Sequence, residues 1–393
     1  TKAASPEQQE ALAAELAEKL RGCKSVEEIR KLLGTHSLEA GVKPVWGQIN
    51  YTVWSDVYIC PECAQEVVFW DAAVDKEEGK AHSEFPCPGC NVCLNKRNMD
   101  RSWVTKFDKA IGQTIQQAKQ VPVLINYSVG KKRYEKILDA FDHALIEKIE
   151  ELDIPVRIPA DRMPEGEESR RNDDMGVTHV HHFYSKRNIW VLSLLAKYTK
   201  KFTLLQFLLS GILNRSTIMN RIHLKKYFFG GGGWNAGYLK GTLYIPSLPI
   251  ETSIIEQLRD RYLSYQRAYT AIKSAERAMI LDTRSSSNIN FLQESIDYIF
   301  TDPPFGGNLM YSELNFFWEA WLKVFTNIKS EAVENKVQEK GLFEYQGLMT
   351  QCFKEYYRVL KPGRWMTVEF HNSKNSVWNS IQESLQTVGF VIA

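Results

Sequence analysis

The pattern of apolar and polar positions divides the chain into a helical start, a β-rich middle and an α/β end. Ser5-Pro6 predicts a helix through about Leu20, since proline is favoured at the first helical position. A capping-box pattern opens a second helix that ends near Gly34. Both helices are polar and carry no candidate chemistry. Residues 1–45 are therefore predicted to be a docking or linker segment.

From Ile49 the pattern changes to strands. The runs INYTVWSDVYI and EVVFWDAAVD alternate in polarity and flank a cysteine pair, and a charged loop then leads to a second pair. Residues 46–100 are predicted to be a zinc ribbon. Residues 101–275 are predicted to be a mixed helical and β target-recognition region. It contains a buried helix at HFYSKRNIWVLSLL, a mobile loop or hairpin at GGGGWNAG and a last helix at about 254–277.

Residues 276–393 have a strand–helix rhythm. Short apolar runs alternate with segments of helical spacing, which is typical of a mostly parallel, doubly wound sheet. The predicted helices are YSELNFFWEAWLKVF, EYQGLMTQCFKEYYRVL and 373–387. The predicted strands are 277–283, 296–301, 364–370 and 389–393.

Composition narrows the function classes. The chain has 393 residues, 44% hydrophobic, with a formal net charge of +2. This length is enough for two or three domains with their own cores. The low net charge excludes a polybasic binder, so a nucleic-acid surface must come from local charge. No signal peptide or membrane span is predicted, because lysines interrupt the most apolar stretch, Ile189 to Leu213.

Seven cysteines indicate a metal site rather than a disulfide framework. Four of them form the pairs Cys60-Pro-Glu-Cys63 and Cys87-Pro-Gly-Cys90, with 23 residues between the inner two. This spacing predicts a structural zinc ion held by four thiolates, with no open position for catalysis. Cys93 is an alternative ligand, although a bystander role is the simpler interpretation. Thiolates of this kind suit a reducing compartment.

Two stretches are locally basic. Residues 94–140 carry ten Lys or Arg against four Asp or Glu, with Trp103, Phe107 and Tyr127 among them. Such a stretch can follow phosphates and stack bases, and a solvated basic face is the alternative. Whether the ribbon contacts DNA or only braces this region stays open. The candidate nucleic-acid contacts are Arg97, Arg101, Lys106, Lys131, Lys132 and Arg133 in the first stretch, and Arg215, Arg221, Lys225 and Lys226 in the second.

Two further polar groups have simpler interpretations. His179, His181 and His182 have no cysteine or carboxylate cluster nearby in sequence, so no metal site is predicted there. Asn372 or Ser373 is predicted to cap a helix.

The stretch DYIFTDPPFGGN carries the strongest candidate chemistry. Asp302 follows an apolar run, and ligands bind at the carboxyl ends of strands in an open parallel sheet. Pro303 and Pro304 stiffen the backbone and donate no hydrogen bonds. The Asp302 carboxylate and the Pro303 carbonyl could accept both N–H bonds of a planar amino group, while Phe305 stacks on the ring. This arrangement suits the exocyclic amino group of a flipped base.

SIDYIFTDPPFGGNLMYSELN resembles the catalytic motif of S-adenosylmethionine-dependent DNA amino-methyltransferases. FKEYYRVLKPGRWMTVEFHNSK, HFYSKRNIWVLSLL and INYTVWSDVYICPECAQEVVFWDAAVD resemble a bacterial and archaeal subgroup with an inserted zinc ribbon. The resemblance covers roughly residues 48–393. It implies part of a Rossmann-like class I methyltransferase sheet, interrupted by a zinc ribbon and a helical target-recognition region. It also implies a prokaryotic, cytoplasmic, nucleoid-associated protein that acts on double-stranded DNA.

The resemblance assigns catalysis to Asp302, Pro303, Pro304 and Phe305. An Asp at the first position implies N6-adenine more than N4-cytosine. The aromatic-x-Gly-x-Gly donor loop of the family is not found in the sequence, so an upstream segment or a partner chain is expected to supply it. Asp282 and Ser285 would then lie near the adenine of the donor. Two alternatives stay open: an RNA amino-methyltransferase, which shares the tetrapeptide, and a non-catalytic DNA-recognition module.

Overall fold

A computed structural model describes residues 6–34, 46–272 and 282–393. The chain divides into two compact units. The first unit runs to Arg162 and resumes from Asn172 to Ala271. The second unit consists of Met163–Arg171 and the residues from Ile272 onward. The predicted division into four regions stays a prediction beside these two units.

The α-helices in the described ranges are α1 (Pro6–Gly22), α2 (Val26–Gly34), α3 (Phe69–Ala73), α4 (Ala140–Glu151), α5 (Lys186–Thr199), α6 (Thr203–Ser210), α7 (Leu224–Phe229), α8 (Ile254–Ile272), α9 (Tyr311–Leu322), α10 (Leu342–Val359) and α11 (Asn375–Val388). The strands are β1 (Gln48–Ile59), β2 (Glu66–Val68), β3 (Val74–Asp75), β4 (Lys80–Ala81), β5 (Phe85–Pro86), β6 (Cys93–Leu94), β7 (Asp100–Arg101), β8 (Trp103–Asp108), β9 (Gln113–Ala118), β10 (Gln120–Val129), β11 (Lys132–Lys136), β12 (Arg221–Ile222), β13 (Asn235–Gly237), β14 (Ile250–Thr252), β15 (Ile296–Thr301) and β16 (Leu360–Val368).

The two N-terminal helices form as predicted. Ser25 caps α2, because its hydroxyl accepts a hydrogen bond from the backbone N–H of Glu28 at 3.2 Å. α1 packs against α4 through a small core of Ala17, Leu20 and Ala144. The N-terminal segment thus belongs to the first unit and contributes apolar side chains to it.

A curled antiparallel half-barrel organises the first unit. Its strand order is β11-β10-β1-β14, and the long strand β1 also pairs with β2 and β7. Register shifts interrupt the β1–β10 pairing after Ile49 and after Val53. Such irregularities bend a strand and increase its twist. β1 can therefore take part in both the half-barrel and the cysteine-bearing ribbon.

The predicted strand EVVFWDAAVD is only partly correct. Pairing with β1 stops at Val68, and α3 follows directly. The consecutive side chains Phe69 and Trp70 are both buried in one core, which a strand with alternating faces would not allow. The Ser55 hydroxyl accepts the backbone N–H of Trp70 at 2.9 Å and fixes the start of this helix.

The second unit is built around one parallel strand pair, β15 and β16. α10 and α11 cover one face of this pair with a core that includes Tyr345, Phe353 and Ile381. The predicted strand at 296–301 is confirmed, and the one predicted at 364–370 forms over Leu360–Val368. The described residues thus show a mixed α/β protein, whereas a doubly wound Rossmann sheet is not shown.

The predicted strand at 389–393 is wrong. α11 ends at Val388, and Gly389 caps it in the left-handed region with φ +108°. The backbone N–H of Phe390 returns to the carbonyl of Leu385 at 3.1 Å, and its ring packs edge-on against Tyr357. The chain therefore closes the helix end instead of entering a sheet. Most of the predicted strand 277–283 lies outside the described residues.

Among the helices in the described ranges, none combines the length and the apolar character that crossing a membrane requires.

Candidate functional site

Each cysteine pair sits on a tight turn, and the two turns have the same hydrogen bonds. The Ala64 N–H donates to the Cys60 carbonyl, and the Asn91 N–H donates to the Cys87 carbonyl, both at 3.0 Å. Ala64 and Asn91 have φ of +58° and +61°, so each turn ends in the left-handed region. Each Cys-x-x-Cys segment of the sequence therefore forms a tight turn, and the two turns have the same geometry.

The four sulfurs converge on one point. Sγ of Cys60 lies 3.7 Å from Sγ of Cys90, and Sγ of Cys63 lies 3.7 Å from Sγ of Cys87. Tetrahedral zinc with Zn–S distances of about 2.3 Å separates its sulfurs by about 3.8 Å. These separations far exceed the S–S bond of about 2.05 Å in a disulfide. The cluster could therefore hold a zinc ion.

The pKa shifts within the cluster differ in direction: the pKa of the Cys87 thiol is lowered, whereas those of Cys63 and Cys90 are raised. The backbone N–H of Cys90 lowers the pKa of the Cys87 thiol to about 6, and the N–H of Gly89 also points at this sulfur at 3.4 Å. Metal ligation requires the deprotonated thiol. Cys93 is exposed on β6 and lies outside the cluster. The predicted ligand set is therefore the one whose sulfurs meet.

Asp302 immediately follows β15, so it lies at the carboxyl end of a parallel strand, as predicted. Its side chain is exposed. Among the described residues, none donates a hydrogen bond to the Asp302 carboxylate or to the Pro303 carbonyl. These are the two acceptors that the sequence assigned to an amino group.

The following carbonyls are occupied by protein donors. The Tyr345 hydroxyl donates to the Pro304 carbonyl at 2.5 Å. The Asn372 side-chain amide donates to the Phe305 carbonyl at 2.9 Å. Asn372 also accepts the backbone N–H of Lys374 at 2.8 Å. The predicted helix cap by Asn372 or Ser373 is wrong, because α11 begins after Lys374 and no side chain caps it. The loop is thus fixed directly after its free acceptors.

Aromatic rings surround the same loop. Phe305 packs edge-on against Phe370, with 5.3 Å between ring centroids, and Phe370 packs likewise against Trp378. Tyr311 lies near enough to Asp302 that the pKa of its hydroxyl is raised, chiefly by burial and further by the Asp302 charge. Phe305 is half-buried and held in one orientation.

Sequence reasoning missed Glu313, which fastens a distant segment to this unit. Its buried carboxylate accepts the backbone N–H groups of Glu168 and Ser169 at 2.8 and 3.0 Å. The Asn335 amide donates to its other oxygen at 3.1 Å. Gly166 lies against this carboxylate, and an added Cβ would come within 2.1 Å of it. The signal in the sequence was a lone acid on the helix after the Asp302 loop, and its partner segment could not be inferred.

The predicted donor residues lie apart from this arrangement. Asp282 is exposed and pairs with Arg284. Ser285 is exposed and shares a hydrogen bond with the Ser287 hydroxyl at 2.8 Å. Within the described ranges, neither residue has a recorded contact with Asp302. The structure thus does not bring them together with the acceptor loop.

The first basic stretch is largely exposed. Lys131, Lys132 and Arg133 form the turn and start of the β10–β11 hairpin. Trp103 and Phe107 on β8 are 46% and 60% exposed, which leaves their rings free to stack. The remaining members of this group, Arg97, Lys106 and Arg101, are placed differently. Arg97 and Lys106 are exposed, whereas Arg101 pairs with buried Asp56 at 3.0 Å.

The second basic stretch separates into two places. Arg221 and Lys225 line one open groove of about 360 Å³. Lys226 lies beside the glycine-rich loop. A Cβ added at Gly233 would lie 3.5 Å from the ammonium nitrogen of Lys226. Arg215 is exposed on a 3-10 turn and is not among the groove residues.

A hydrogen-bonded cluster joins His181 and His182 to Asp108, a carboxylate more than 70 residues away in sequence. Oδ2 of Asp108 lies 2.7 Å from Nε2 of each imidazole. Zinc with ligand distances of about 2.0–2.1 Å would hold such atoms about 3.3 Å apart. The backbone N–H of Thr178 donates to Nδ1 of His182, so Nε2 of that ring carries the proton. The cluster therefore has the geometry of hydrogen bonds to a carboxylate.

Comparisons with protein-family models, with curated proteins and with solved structures gave no match.

Proposed function

We propose that this protein transfers a methyl group from S-adenosylmethionine to the exocyclic amino group of a flipped base in DNA, with N6 of adenine favoured over N4 of cytosine. The observation that carries this proposal is the acceptor pair at the end of β15. The Asp302 carboxylate and the Pro303 carbonyl have no donor among the described residues. The next two carbonyls are held by Tyr345 and Asn372.

This arrangement suits an incoming amino group. Proline rings restrict the backbone, and the two anchoring hydrogen bonds limit its movement. An amino group that donates one N–H to Asp302 and the other to Pro303 becomes more tetrahedral at nitrogen. Its lone pair is then released from the ring and can attack. Phe305 holds the plane of the base through its ring.

Bound S-adenosylmethionine would supply an electrophilic methyl group on a sulfonium sulfur. The amino nitrogen would gain a bond to the methyl carbon, and the electron pair of the broken carbon–sulfur bond would stay on sulfur. The nitrogen then loses a proton, and the exposed Asp302 carboxylate is placed to pass it to water. No covalent intermediate with the protein is needed.

The donor site is the part of this proposal that the described residues do not supply. No glycine-rich loop after a buried strand is present within them, and Asp282 and Ser285 are solvent-exposed. The proposal therefore includes a further segment or a partner chain that holds the donor. The same observation favours a second candidate, a DNA-recognition module without activity of its own.

The zinc ion is proposed as a structural group. Cys60, Cys63, Cys87 and Cys90 would occupy all four positions of a tetrahedral ion, so none is left for a substrate or for water. Its proposed role is to hold the ribbon and the first unit together, apart from the chemistry at Asp302.

The test is methylation of DNA and of RNA, followed by digestion and mass spectrometry of the nucleosides. The chain is assayed alone and with any upstream residues or partner chain restored, and with Asp302→Ala and Asp297→Ala. Asp297 is the matched control, since it is an exposed Asp on the same strand that pairs with Lys361. We expect methyladenine in DNA, lost in Asp302→Ala and kept in Asp297→Ala.

The other results each decide between candidates. Methylation of RNA alone would show that the substrate is RNA rather than DNA. DNA binding without product from any form of the protein would favour the recognition module. Equal activity of Asp302→Ala and the unaltered protein would overturn the assigned acceptor pair.

A further inference from the structure

An open groove of about 360 Å³ in the first unit is lined by cations. Its walls carry Arg221, His223 and Lys225, and no acidic residue lines it. Gly79, Ile222, Leu224 and Ala236 complete the lining. A groove lined by two positive groups and no acidic residue is suited to an anion.

The two cations and the imidazole are presented in different ways. Arg221 is half-buried, and its Nε donates to the Gly237 carbonyl at 3.2 Å, which leaves both terminal nitrogens as donors. Nδ1 of His223 accepts the backbone N–H of Lys226, so its Nε2 carries the proton and can donate. Lys225 is exposed and has no ion-pair partner within the described ranges. Together they offer the guanidinium of Arg221, the imidazole of His223 and the ammonium group of Lys225 as donors to a ligand.

The β3–β4 turn, which contributes Gly79 to the groove, carries three acidic residues, and two of them have partners within it. Glu78 pairs with Lys80, and Asp75 bonds to His82 at 3.1 Å. Asp75 also accepts two backbone N–H groups of the same turn. Glu77 is the remaining acid of this turn. None of these acids is among the residues that line the groove.

The cysteine ribbon forms one wall of this groove. Gly79 lies in the β3–β4 turn with φ +63°, and an added Cβ would lie 2.8 Å from Cα of Lys225. The buried ligands Cys60 and Cys87 belong to one hydrophobic core, against which Leu224, Tyr227 and Phe228 of α7 pack. The position of Lys225 therefore depends on the fold of the metal-binding ribbon.

We propose that this groove binds backbone phosphates of duplex DNA and that the four-cysteine metal site holds it in shape. The proposal extends the function proposed above, since it names a phosphate contact and gives the metal a role in binding. The contact carries no sequence information, because phosphates are the same at every base pair. Its role is to position the duplex.

The first experiment measures anisotropy of a fluorescent duplex as salt is raised. Neutralising one phosphate contact lowers the slope of log affinity against log salt by about 0.9. We expect Lys225→Gln and Arg221→Gln each to lower the slope by about this amount. Lys201→Gln, at an exposed lysine outside the groove, has the same charge change and should leave the slope unaltered.

The second experiment separates the groove from the metal. Gly79→Ala forces the turn away from Lys225, while Gly112→Ala places the same change at φ +67° where no atom lies within 4 Å. We expect Gly79→Ala to lower the slope of log affinity against log salt by the equivalent of about two phosphate contacts, and Gly112→Ala to leave this slope unaltered. The zinc content should be the same in both variants. Chelation should lower the slope of the unaltered protein and have a smaller effect in the Lys225→Gln, Arg221→Gln double variant.

Four outcomes would overturn the proposal: no binding of duplex by the unaltered protein, binding of RNA alone, slopes unchanged in both groove variants, or unchanged binding after chelation. Loss of methylation does not decide it. Asp302→Ala should abolish product and keep the full salt slope, whereas the groove variants should alter the slope whether or not product forms. Failure of the catalytic proposal and failure of the groove proposal are thus distinguishable.

Discussion

The four-cysteine site and the Asp302 loop hold their groups in opposite ways. Each cysteine turn closes on itself, through hydrogen bonds that span four or five residues. The Asp302 loop is fixed from far away, by Tyr345 at 41 residues from its partner and by Asn372 at 67. Because its turns are local, the geometry of the four-cysteine site can be predicted from the spacing of the cysteines in the sequence. The geometry of the Asp302 loop depends on how the whole unit folds.

Breaking the local geometry should have the largest effect. Cys87→Ser removes a buried ligand, and the apparent binding free energy of structural zinc is about 10–16 kcal/mol. We therefore expect loss of the metal and unfolding of the ribbon, seen as zinc release and lower thermal stability. Cys93→Ser is the control, because it changes an exposed cysteine outside the cluster. Equal zinc content in both variants would contradict the ligand assignment.

The Asp108 cluster provides the next test, since it is a long-range arrangement inside the first unit. Asp108→Asn leaves at least one of the two imidazole donors with a poorer acceptor. The Asp108 side chain is only 9% exposed, so water cannot readily replace the lost acceptor. We expect a loss of about 2–3 kcal/mol in the free energy of unfolding, measured with urea. Asp71→Asn, at an exposed acid on α3, should cost little. Similar losses in the two variants would argue against the cluster.

Asp108 and His179, whose ring lies beside those of His181 and His182, predict a pH dependence. Burial lowers the pKa of His179 to about 4, and nearby His182, His181 and Arg162 act in the same direction. Burial raises the pKa of Asp108, but two imidazole donors overcome it and place that pKa far below its usual range. Both folded-state pKa values are depressed. Their stabilisation is therefore complete above the unfolded values of about 6.5 and 3.9 and is lost on acidification.

The window for His179 runs from about pH 6.5 down to 4. The urea midpoint should fall through this window in the unaltered protein and fall less in His179→Gln. His143→Gln, on α4 and outside this cluster, should retain the original fall. A midpoint that rises on acidification would reverse the sign and contradict the assigned pKa shifts.

The anchors of the Asp302 loop should have a smaller effect. Tyr345→Phe removes the hydrogen bond to the Pro304 carbonyl, which we expect to cost about 1 kcal/mol of stability. Methylation, where it is observed, should fall about tenfold or more, because the acceptors lose their fixed position. Tyr298→Phe also loses one hydroxyl contact, to Thr367 at 2.6 Å, but leaves the loop intact. Equal activity of the two variants would count against the positioning role.

Sequence reasoning succeeded where chemistry is local. The cysteine spacing, the strand before Asp302 and the helices around it were all readable from short patterns. The strand predicted through Phe69 and Trp70 was wrong because alternation cannot reveal that consecutive rings enter one core. The strand predicted at 389–393 was wrong because an apolar ending after Gly389 serves equally well as a helix cap.

The remaining parts of the site depend on contacts between distant residues. No pattern near His181 announced Asp108, since the carboxylate comes from a hairpin more than 70 residues earlier. Arg101 was predicted as a nucleic-acid contact, although its guanidinium is paired with buried Asp56. Basic residues look alike in sequence. Their internal partners decide which of them remain available for a ligand.

The smallest expected effect is a difference between the two cysteine turns in the free energy of unfolding. Ala64 pays a steric penalty at φ +58°, while Asn91 at +61° is of a type that tolerates this region. Ala64→Gly should therefore raise the free energy of unfolding by about 1 kcal/mol, and Asn91→Gly by clearly less. Ala118→Gly on β9 is the control and should lower it. Equal gains at 64 and 91 would mean that the two turns carry the same strain, because residue type would then not matter.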